Sequence, residues 1–337
     1  PIDRVGGYFM KRIISLLIAI VTVISMLIFA INCNAKTILG DYKYLDNVVY
    51  LKVTETDNET NQSTTYYCVD SFFENESIEQ TKKEITIPSS IDGIPVKKIW
   101  SLFSNSYILS VVEKINLPET ITHIGKNAFC FMSKLKSVNI PDSVEEIDEY
   151  AFSGCRSLET IVFPKKVTLI NSNICSDCSN LKSVIFKGNI NKIDNYAFLN
   201  CKNLKSLNLP TSLKEIGSNV IGGTAIKSIT VPKKALCQKN AFEAADKLKK
   251  VTFKNVKGGF SGNLFSNCKS LKEINLKSIK NFSNFKIDKG AFSGTKPGIK
   301  FYVRNKKLAK KLYNGLKSRK VKKAKIYVGK KLVYKTK

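Results

Sequence analysis

The stretch KSVNIPDSVEEIDEYAFSGCRSL, residues 136–158, recurs along the chain at a nearly fixed spacing. A shift of 23 residues aligns it with ETIVFPKKVTLINSNICSDCSNL at 159–181, and a second shift aligns it with KSVIFKGNINKIDNYAFLNCKNL at 182–204. Looser copies lie at 113–135, 205–226, 227–248, 249–271 and 272–295. A period in the twenties is typical of a solenoid in which each repeat forms one coil. The sequence therefore predicts a repeat solenoid of about eight or nine coils, each of roughly 22–24 residues.

Each repeat predicts a short β-strand followed by a turn that points apolar side chains inward. Ile161 and Phe163 are two residues apart and share one face of the strand, so Thr160 and Val162 point to the other face. Proline lacks the N–H that a ladder needs and ends the strand in several repeats. An Ala-Phe pair follows, and its stacked copies predict an interior spine of Phe129, Phe152, Phe198, Phe242, Phe265 and Phe292, with Cys175 and Val220 in the remaining slots.

The full pattern, L-x-x-I-x-φ-P-x-x-φ-x-x-I-x-x-x-A-F-x-x-C, resembles the BspA-like, or Treponema pallidum-type, leucine-rich repeats of bacterial surface and secreted proteins. Residues 135–155 match it at almost every position, and the resemblance covers 84–298. It implies a right-handed, β-rich leucine-rich repeat solenoid with short helical or 3-10 turns and a sheet on its concave side. It also implies a cell-surface protein that binds matrix proteins or other microbes. The pattern weakens at 249–295, where lysine replaces proline.

The N-terminal region predicts export. A basic pair precedes the uncharged apolar run 13–31, and Cys-Asn-Ala at 33–35 resembles a signal-peptidase site. We expect residues 1–35 to be a signal peptide that is cleaved after Ala35, with translation starting at Met10. The run approaches the ~20 apolar residues that span a bilayer, so an uncleaved membrane anchor is the alternative. Both interpretations place the rest of the chain on the cell surface or in the medium.

Residues 36–83 lie outside the repeat and predict an N-terminal β cap. Val48–Val53 and Thr64–Phe73 are rich in Val, Tyr and Phe, which favours strands, and a polar loop separates them. A cap is expected because a terminal coil needs a polar outer surface. The solenoid is then expected over 84–298.

The C-terminal region is strongly basic. Residues 296–337 contain 17 Lys and Arg and no Asp or Glu, in a chain of net charge +28. Residues 299–337 predict a cap made of a strand, a helix with an apolar face and a hairpin whose two-residue turn begins at Gly329. In one interpretation this segment is only a cap whose surface is rich in lysine. In a second interpretation the cap also binds an anionic envelope polymer, nucleic acid or sulfated glycan. The candidate residues are Lys306, Lys307, Lys310, Lys317, Arg319, Lys320, Lys322 and Lys323.

The outward positions of the predicted strands form the candidate binding face. Most are small and polar, Val162 and Ile185 form an apolar strip, and lysines flank the strand starts. The alternative is a solvated rim that suppresses aggregation. The candidate residues are Lys136, Asn139, Thr160, Val162, Lys182, Ser183, Ile185, Lys205, Ser206, Asn208, Lys227, Thr230 and Lys249.

Four cysteines share one position of the repeat and predict a buried ladder: Cys155, Cys178, Cys201 and Cys268. Their Cβ atoms would lie about 4.8 Å apart on parallel vectors, rather than the roughly 3.8 Å of a disulfide, which favours free thiols. Cys175-x-x-Cys178 is interpreted as two core positions, since no second such pair and no paired histidine completes a zinc site. We therefore expect no metal and no cofactor.

No catalytic constellation is evident in the sequence. His123, the single histidine, falls in a position predicted to be exposed, and Glu145, Glu146 and Asp148 fall on a predicted solvated face. Motifs for nucleotide binding, zinc proteolysis and serine hydrolysis are absent. The prediction is a monomeric, non-enzymatic protein that binds a protein or glycan on host or microbial surfaces and takes no small-molecule substrate. The alternatives are a structural envelope protein held by its basic tail and a nucleic-acid or sulfated-glycan binder.

Overall fold

A computed structural model gives the structure of the chain and describes residues 35–45, 48–57, 59–72, 83–100, 111–255, 259–280 and 285–337. Of the predicted signal peptide over 1–35, all but Ala35 lies outside these ranges. Within them, no helix has both the length and the apolar character that crossing a bilayer requires.

The N-terminal cap is a three-stranded antiparallel meander of β1 (Ala35–Leu45), β2 (Val48–Asp57) and β3 (Ser63–Phe72). The sequence predicts strands close to β2 and β3, but it does not predict β1. The meander buries its own apolar side chains, including Leu51 and Tyr66. It continues into the solenoid because β3 pairs in parallel with the strand over Ile94–Ile99.

Two rows of short strands make up the solenoid. In chain order the strands are β4 (Glu84–Thr86), β5 (Ser90–Ile91), β6 (Ile94–Ile99), β7 (Lys114–Asn116), β8 (His123–Ile124), β9 (Ser137–Asn139), β10 (Glu146–Ile147), β11 (Thr160–Phe163), β12 (Leu169–Ile170), β13 (Ser183–Phe186), β14 (Lys192–Ile193), β15 (Glu215–Ile216), β16 (Ser228–Val231), β17 (Leu236–Cys237), β18 (Lys250–Phe253), β19 (Gly259–Phe260), β20 (Glu273–Asn275) and β21 (Lys286–Ile287). The front row, which is the predicted concave face, consists of β4, β7, β9, β11, β13, β16, β18 and β20.

Strand pairing follows the repeat. In the front row Thr160 pairs with Ser183, and in the second row Leu169 pairs with Lys192, a separation of 23 residues in each case. Residues at the same position of adjacent repeats therefore lie side by side, as a solenoid requires. The chain forms about nine turns with little helix, which confirms the predicted β-rich repeat solenoid.

The interior contains the predicted aromatic spine. Phe129 stacks on Phe152 with ring centroids 5.2 Å apart, and Phe265 stacks on Phe242 at 5.8 Å. Cys175 occupies a spine slot and is fully buried. Because every coil contributes to the same layers, the apolar face of one coil is covered by its neighbours.

The repeat cysteines also lie in the interior, where each thiol donates a hydrogen bond to a backbone carbonyl of the preceding coil. The donor and acceptor residues are Cys155 and Phe129 at 3.0 Å, Cys178 and Phe152 at 3.0 Å, Cys201 and Cys175 at 3.1 Å, and Cys268 and Phe242 at 3.0 Å. The eight cysteines within the described ranges are free thiols.

The front row is interrupted at residues 205–209, which lie outside any strand. At several strand starts a backbone bond joins adjacent coils, as from Lys182 N to Glu159 O at 2.8 Å. In the described chain this bond is missing from Lys205 N, and it is also missing from Glu159 N and Lys227 N. The expectation that Ser206 and Asn208 lie on a continuous sheet is therefore wrong, because the backbone ladder is not formed there.

The C-terminal segment extends the front row. β22 (Lys300–Val303) pairs in parallel with β20. The helix α1 (Lys306–Ser318) follows, and its predicted apolar face is buried. β23 (Lys325–Val328) returns beside β22, and β24 (Lys331–Lys335) folds back antiparallel to β23 through a turn in which Gly329 has a φ of 63°.

Candidate binding surface

The predicted apolar strip lies on the front row. Val162 of β11 pairs in register with Ile185 of β13, and Thr160 pairs with Ser183 beside them. Ile185 is 47% exposed and Val162 is half-buried. An exposed isoleucine in the centre of a sheet face is an apolar contact available to a partner.

Asn139 has a structural contact that the sequence does not indicate. Its Oδ1 accepts a hydrogen bond from Leu117 N at 2.8 Å, and its Nδ2 donates to Leu117 O at 3.0 Å. The side chain thus continues the backbone pairing between β7 and β9. Binding through Asn139 would have to compete with these two bonds.

The lysines that flank the strand starts fall into two groups, those that pair with a carboxylate and those that form no ion pair in the described chain. Lys136 Nζ lies 2.6 Å from Glu113 Oε2, and Lys182 Nζ lies 2.8 Å from Glu159 Oε1. Hydrogen bonds from Lys136 and then Lys83 hold the pKa of Glu113 below its usual value. By contrast, no ion pair in the described chain involves the exposed lysines of the later coils, which are Lys205, Lys227 and Lys249.

A groove of about 920 Å³ opens where the front row is interrupted. Ser206, Asn208 and Thr230, all predicted site residues, line one part of it. The remaining lining includes four exposed lysines and no Asp or Glu: Lys233, Lys234, Lys254 and Lys280. None of the four forms an ion pair within the described ranges. The groove therefore combines hydroxyl and amide groups with uncompensated positive charge.

Sequence reasoning missed these four lysines because it considered strand positions alone. Lys233 and Lys234 directly follow Pro232, which ends β16, and Lys254 directly follows β18. The Pro-Lys-Lys triplet after a predicted strand is the signal that could have identified Lys233 and Lys234. A lysine at that position lies at the end of the sheet, where the chain turns away from it.

The basic tail presents most of its predicted residues to solvent. The exposed ones are Lys306, Lys307, Lys310, Lys317, Lys320, Lys322 and Lys323. Arg319 is exposed as well, and its Nε donates a hydrogen bond to Ile287 O at 2.6 Å. This bond ties the C-terminal segment to the last coil of the solenoid, and the predicted contact of Arg319 with a polymer stays a prediction.

His123 is not the exposed residue that the sequence predicts. Its side chain is 14% exposed, with Nε2 3.0 Å from Asp148 Oδ2 and Nδ1 3.4 Å from Glu146 Oε2. The two carboxylates, predicted to be merely solvated, belong to the next coil and cover the ring. One ligand atom from each of the three residues lies within 4.8 Å of the other two.

Several solved bacterial structures are similar to this chain. The pneumococcal vaccine antigen PcpA is 19% identical, with 87% of this chain and 100% of that chain covered and a TM-score of 0.48. A leucine rich cell surface protein from Faecalibacterium prausnitzii is 17% identical, with 79% and 89% covered and a TM-score of 0.42. The T. pallidum leucine rich repeat protein is 22% identical, with 69% and 78% covered and a TM-score of 0.36.

Among curated proteins, no sequence matches the chain. The family described as "BspA type Leucine rich repeat region (6 copies)" matches residues 101–222 and 170–299. Together these ranges span more than half of the 337 residues and contain the aromatic spine and the cysteine ladder. The chain belongs to the BspA type leucine-rich repeat family.

Proposed function

We propose that the chain is an exported, non-enzymatic surface protein that binds an extended acidic partner, protein or glycan, along the front row. The observation that carries this proposal is the groove at the interruption of the row, lined by four lysines and no carboxylate. Membership of the family and the resemblance to a protein described as a cell surface protein are consistent with it.

Charge selects the partner that the groove would accept. An acidic chain would gain from each ammonium group that it meets, and the attraction would also speed association at low salt. Hydroxyl and amide groups such as Thr230 and Asn208 offer the uncharged hydrogen bonds that fix a polar polymer in place. The apolar pair Val162 and Ile185 lies on the same row and adds contact area for a partner that extends beyond the groove.

An array of matrix proteins, glycans and wall polymers probed with the purified protein tests the proposal. The triple variant Lys233→Glu, Lys234→Glu and Lys254→Glu should lose most of its binding to whichever ligands the wild type retains. Each exposed substitution should change the free energy of unfolding by less than about 0.5 kcal/mol.

A matched control carries three charge reversals at exposed lysines outside the groove, which are Lys202, Lys214 and Lys239. Its net charge equals that of the groove variant, so any general electrostatic effect is the same in both. The groove is excluded as the binding site when the two variants bind every ligand equally well.

Export is part of the proposal and has its own measurement. The predicted signal lies in residues 1–35, and the first described strand begins at Ala35. Intact-mass analysis of protein recovered from the cell surface or medium should show processing after Ala35. A species that retains Met10 would support the anchored alternative instead.

The basic C-terminal segment supports a second candidate function, attachment to an anionic envelope polymer with the solenoid as a spacer. The supporting observation is the exposure of seven lysines in a segment that has no acidic residue. Nucleic acid and sulfated glycan offer the same chemistry to this segment, and the same array distinguishes them from wall polymer.

A further inference from the structure

His123 lies between two carboxylates contributed by the next coil. Its strand β8 pairs in parallel with β10, which places Glu146 directly beside it. Asp148 follows two residues later, and its side chain is 26% exposed. The three side chains thus meet between successive coils, with His123 and Asp148 partly buried and Glu146 61% exposed.

Both nitrogens of the ring face carboxylate oxygens, Nε2 at 3.0 Å from Asp148 Oδ2 and Nδ1 at 3.4 Å from Glu146 Oε2. A neutral imidazole has one N–H donor, and its other nitrogen carries a lone pair. A lone pair facing a carboxylate is repelled, so a neutral ring can satisfy only one of the two contacts. A metal ion at one nitrogen, with the N–H at the other, would satisfy both contacts.

The charge around this cluster is unusual for the chain, which has 55 Lys and Arg against 27 Asp and Glu. Within the described ranges, Glu146 and Asp148 form ion pairs with His123 alone. The neighbouring carboxylates each pair with a lysine: Glu55 with Lys98, Glu145 with Lys166, and Glu149 with Lys126. Two carboxylates thus share one imidazole in a protein with an excess of lysine.

We propose that His123, Glu146 and Asp148 bind a divalent transition-metal ion, with zinc as the best match to one imidazole and two carboxylates. One ligand atom from each residue lies within 4.8 Å of the other two. Tetrahedral bonds of roughly 2.0–2.2 Å place ligands about 3.3–3.6 Å apart. Because the two carboxylates face different ring nitrogens, one of them must move to the side of the nitrogen that binds the ion. Water completes a set of three protein ligands.

Such an ion would join two coils, because its ligands lie on β8 and on the segment from β10 to Asp148. A metal that binds the folded protein and not the unfolded chain raises stability with its concentration. The site would therefore strengthen the solenoid close to its N-terminal cap. The proposal is independent of the groove and of its partner.

The test uses the purified full chain, dialysed first against EDTA and then into metal-free buffer at pH 7. Calorimetric titration with zinc chloride should show one equivalent bound, and zinc should raise the melting temperature. Substitution His123→Gln should abolish that equivalent and the thermal shift. Asp148→Asn should do the same, and Glu146→Gln should weaken zinc binding by about tenfold or more.

The matched control is Glu149→Gln, a neighbouring carboxylate whose partner is Lys126, and it should bind zinc as the wild type does. Cobalt substitution separates this site from the cysteines, since an N/O site gives no intense cobalt–thiolate band. Three variants guard against the failure of any one of them to fold. The proposal is overturned by absence of zinc binding in the wild type, or by one equivalent persisting in both His123→Gln and Asp148→Asn.

Discussion

The thiol of Cys178 donates a hydrogen bond to the carbonyl oxygen of Phe152, 3.0 Å away in the preceding coil. The other three repeat cysteines make the same bond. A buried carbonyl needs a donor, and cysteine supplies one from a small side chain that otherwise behaves as an apolar residue. The repeat cysteine is thus explained by the interior of the solenoid without any disulfide.

We predict that the ladder thiols do not react with alkylating reagents in the folded protein. Burial raises the pKa of Cys155 and Cys201 well above the usual 9.0, and burial raises the pKa of Cys130 to about 11. The thiolate is the reactive form, so iodoacetamide at pH 8 should leave these residues unlabelled. Peptide mapping by mass spectrometry measures this, and full labelling in urea is the control. Rapid labelling of Cys155 in the native protein would contradict the prediction.

A second prediction concerns the aromatic spine. Phe152 is fully buried and stacks on Phe129 at 5.2 Å, so Phe152→Ala should reduce the free energy of unfolding by about 3–5 kcal/mol. Urea denaturation followed by circular dichroism gives the value. Phe131→Ala is the matched control, because that ring is 56% exposed and its removal should change stability by about 0.5 kcal/mol or less. Similar losses of unfolding free energy in the two variants would show that the aromatic spine contributes no more to stability than an exposed ring does.

The third prediction concerns the ion pair at the start of β9. Hydrogen bonds from Lys136 and then Lys83 hold the pKa of Glu113 below its usual 4.5. A lowered carboxyl pKa adds stability above the pKa of the unfolded chain, and this stability is lost as pH falls through the folded pKa. Lys136→Met should therefore raise the pKa of Glu113 towards 4.5, as measured by carbon-detected NMR titration. Lys83→Met should raise it less, and the reverse order would mean that the two contacts have been ranked wrongly.

The fourth prediction tests the basic tail by removing charge without removing the cap. The variant carries Gln in place of Lys306, Lys307, Lys310 and Lys317, which are all exposed on α1. Helix propensity is nearly unchanged because Lys and Gln have similar values. Arg319 is left intact because it bonds to Ile287 O. If the tail binds an anionic polymer, its affinity should fall steeply as the salt concentration rises. For a nucleic acid, the slope of log affinity against log salt concentration has a magnitude of roughly 0.7–0.9 for each phosphate that the protein neutralises. The variant should bind more weakly, with a shallower slope and an unchanged melting curve.

A control with four Gln substitutions at exposed solenoid lysines, Lys134, Lys165, Lys202 and Lys214, has the same net charge as the tail variant. It should retain the slope of the wild type. Equal slopes for the tail variant and the wild type would mean that these charges do not contact the polymer, leaving the segment as a cap.

The sequence predicts features that depend on one coil repeating the pattern of the next. Phe152 and Cys178 are correctly predicted to lie in the interior because their positions recur about every 23 residues. Stacking of the coils places residues at the same repeat position next to each other. The helix α1 is likewise predicted by the spacing of its leucines, since Leu308, Leu312 and Leu316 lie on one face. In each case local periodicity decides the contact.

Features that depend on a particular neighbour are not predicted. β1 has no strict alternation of apolar and polar residues and forms by pairing with β2. His123 occupies an outward slot of its repeat, yet it is half-buried because Glu146 and Asp148 of the next coil cover it. The groove lies where residues 205–209 form no strand, which no composition signal marks.

The hairpin of β23 and β24 also determines how far the front row can extend. A sheet that ended at β22 would present unpaired N–H and C=O groups to a second molecule, as any open edge does. Instead the chain reverses, and the final strand carries the exposed lysines Lys331 and Lys335. Like charges on two such edges repel each other, which opposes end-to-end polymerisation. The positive charge of β24 therefore makes this edge of the sheet a poor template for pairing with the same edge of a second molecule.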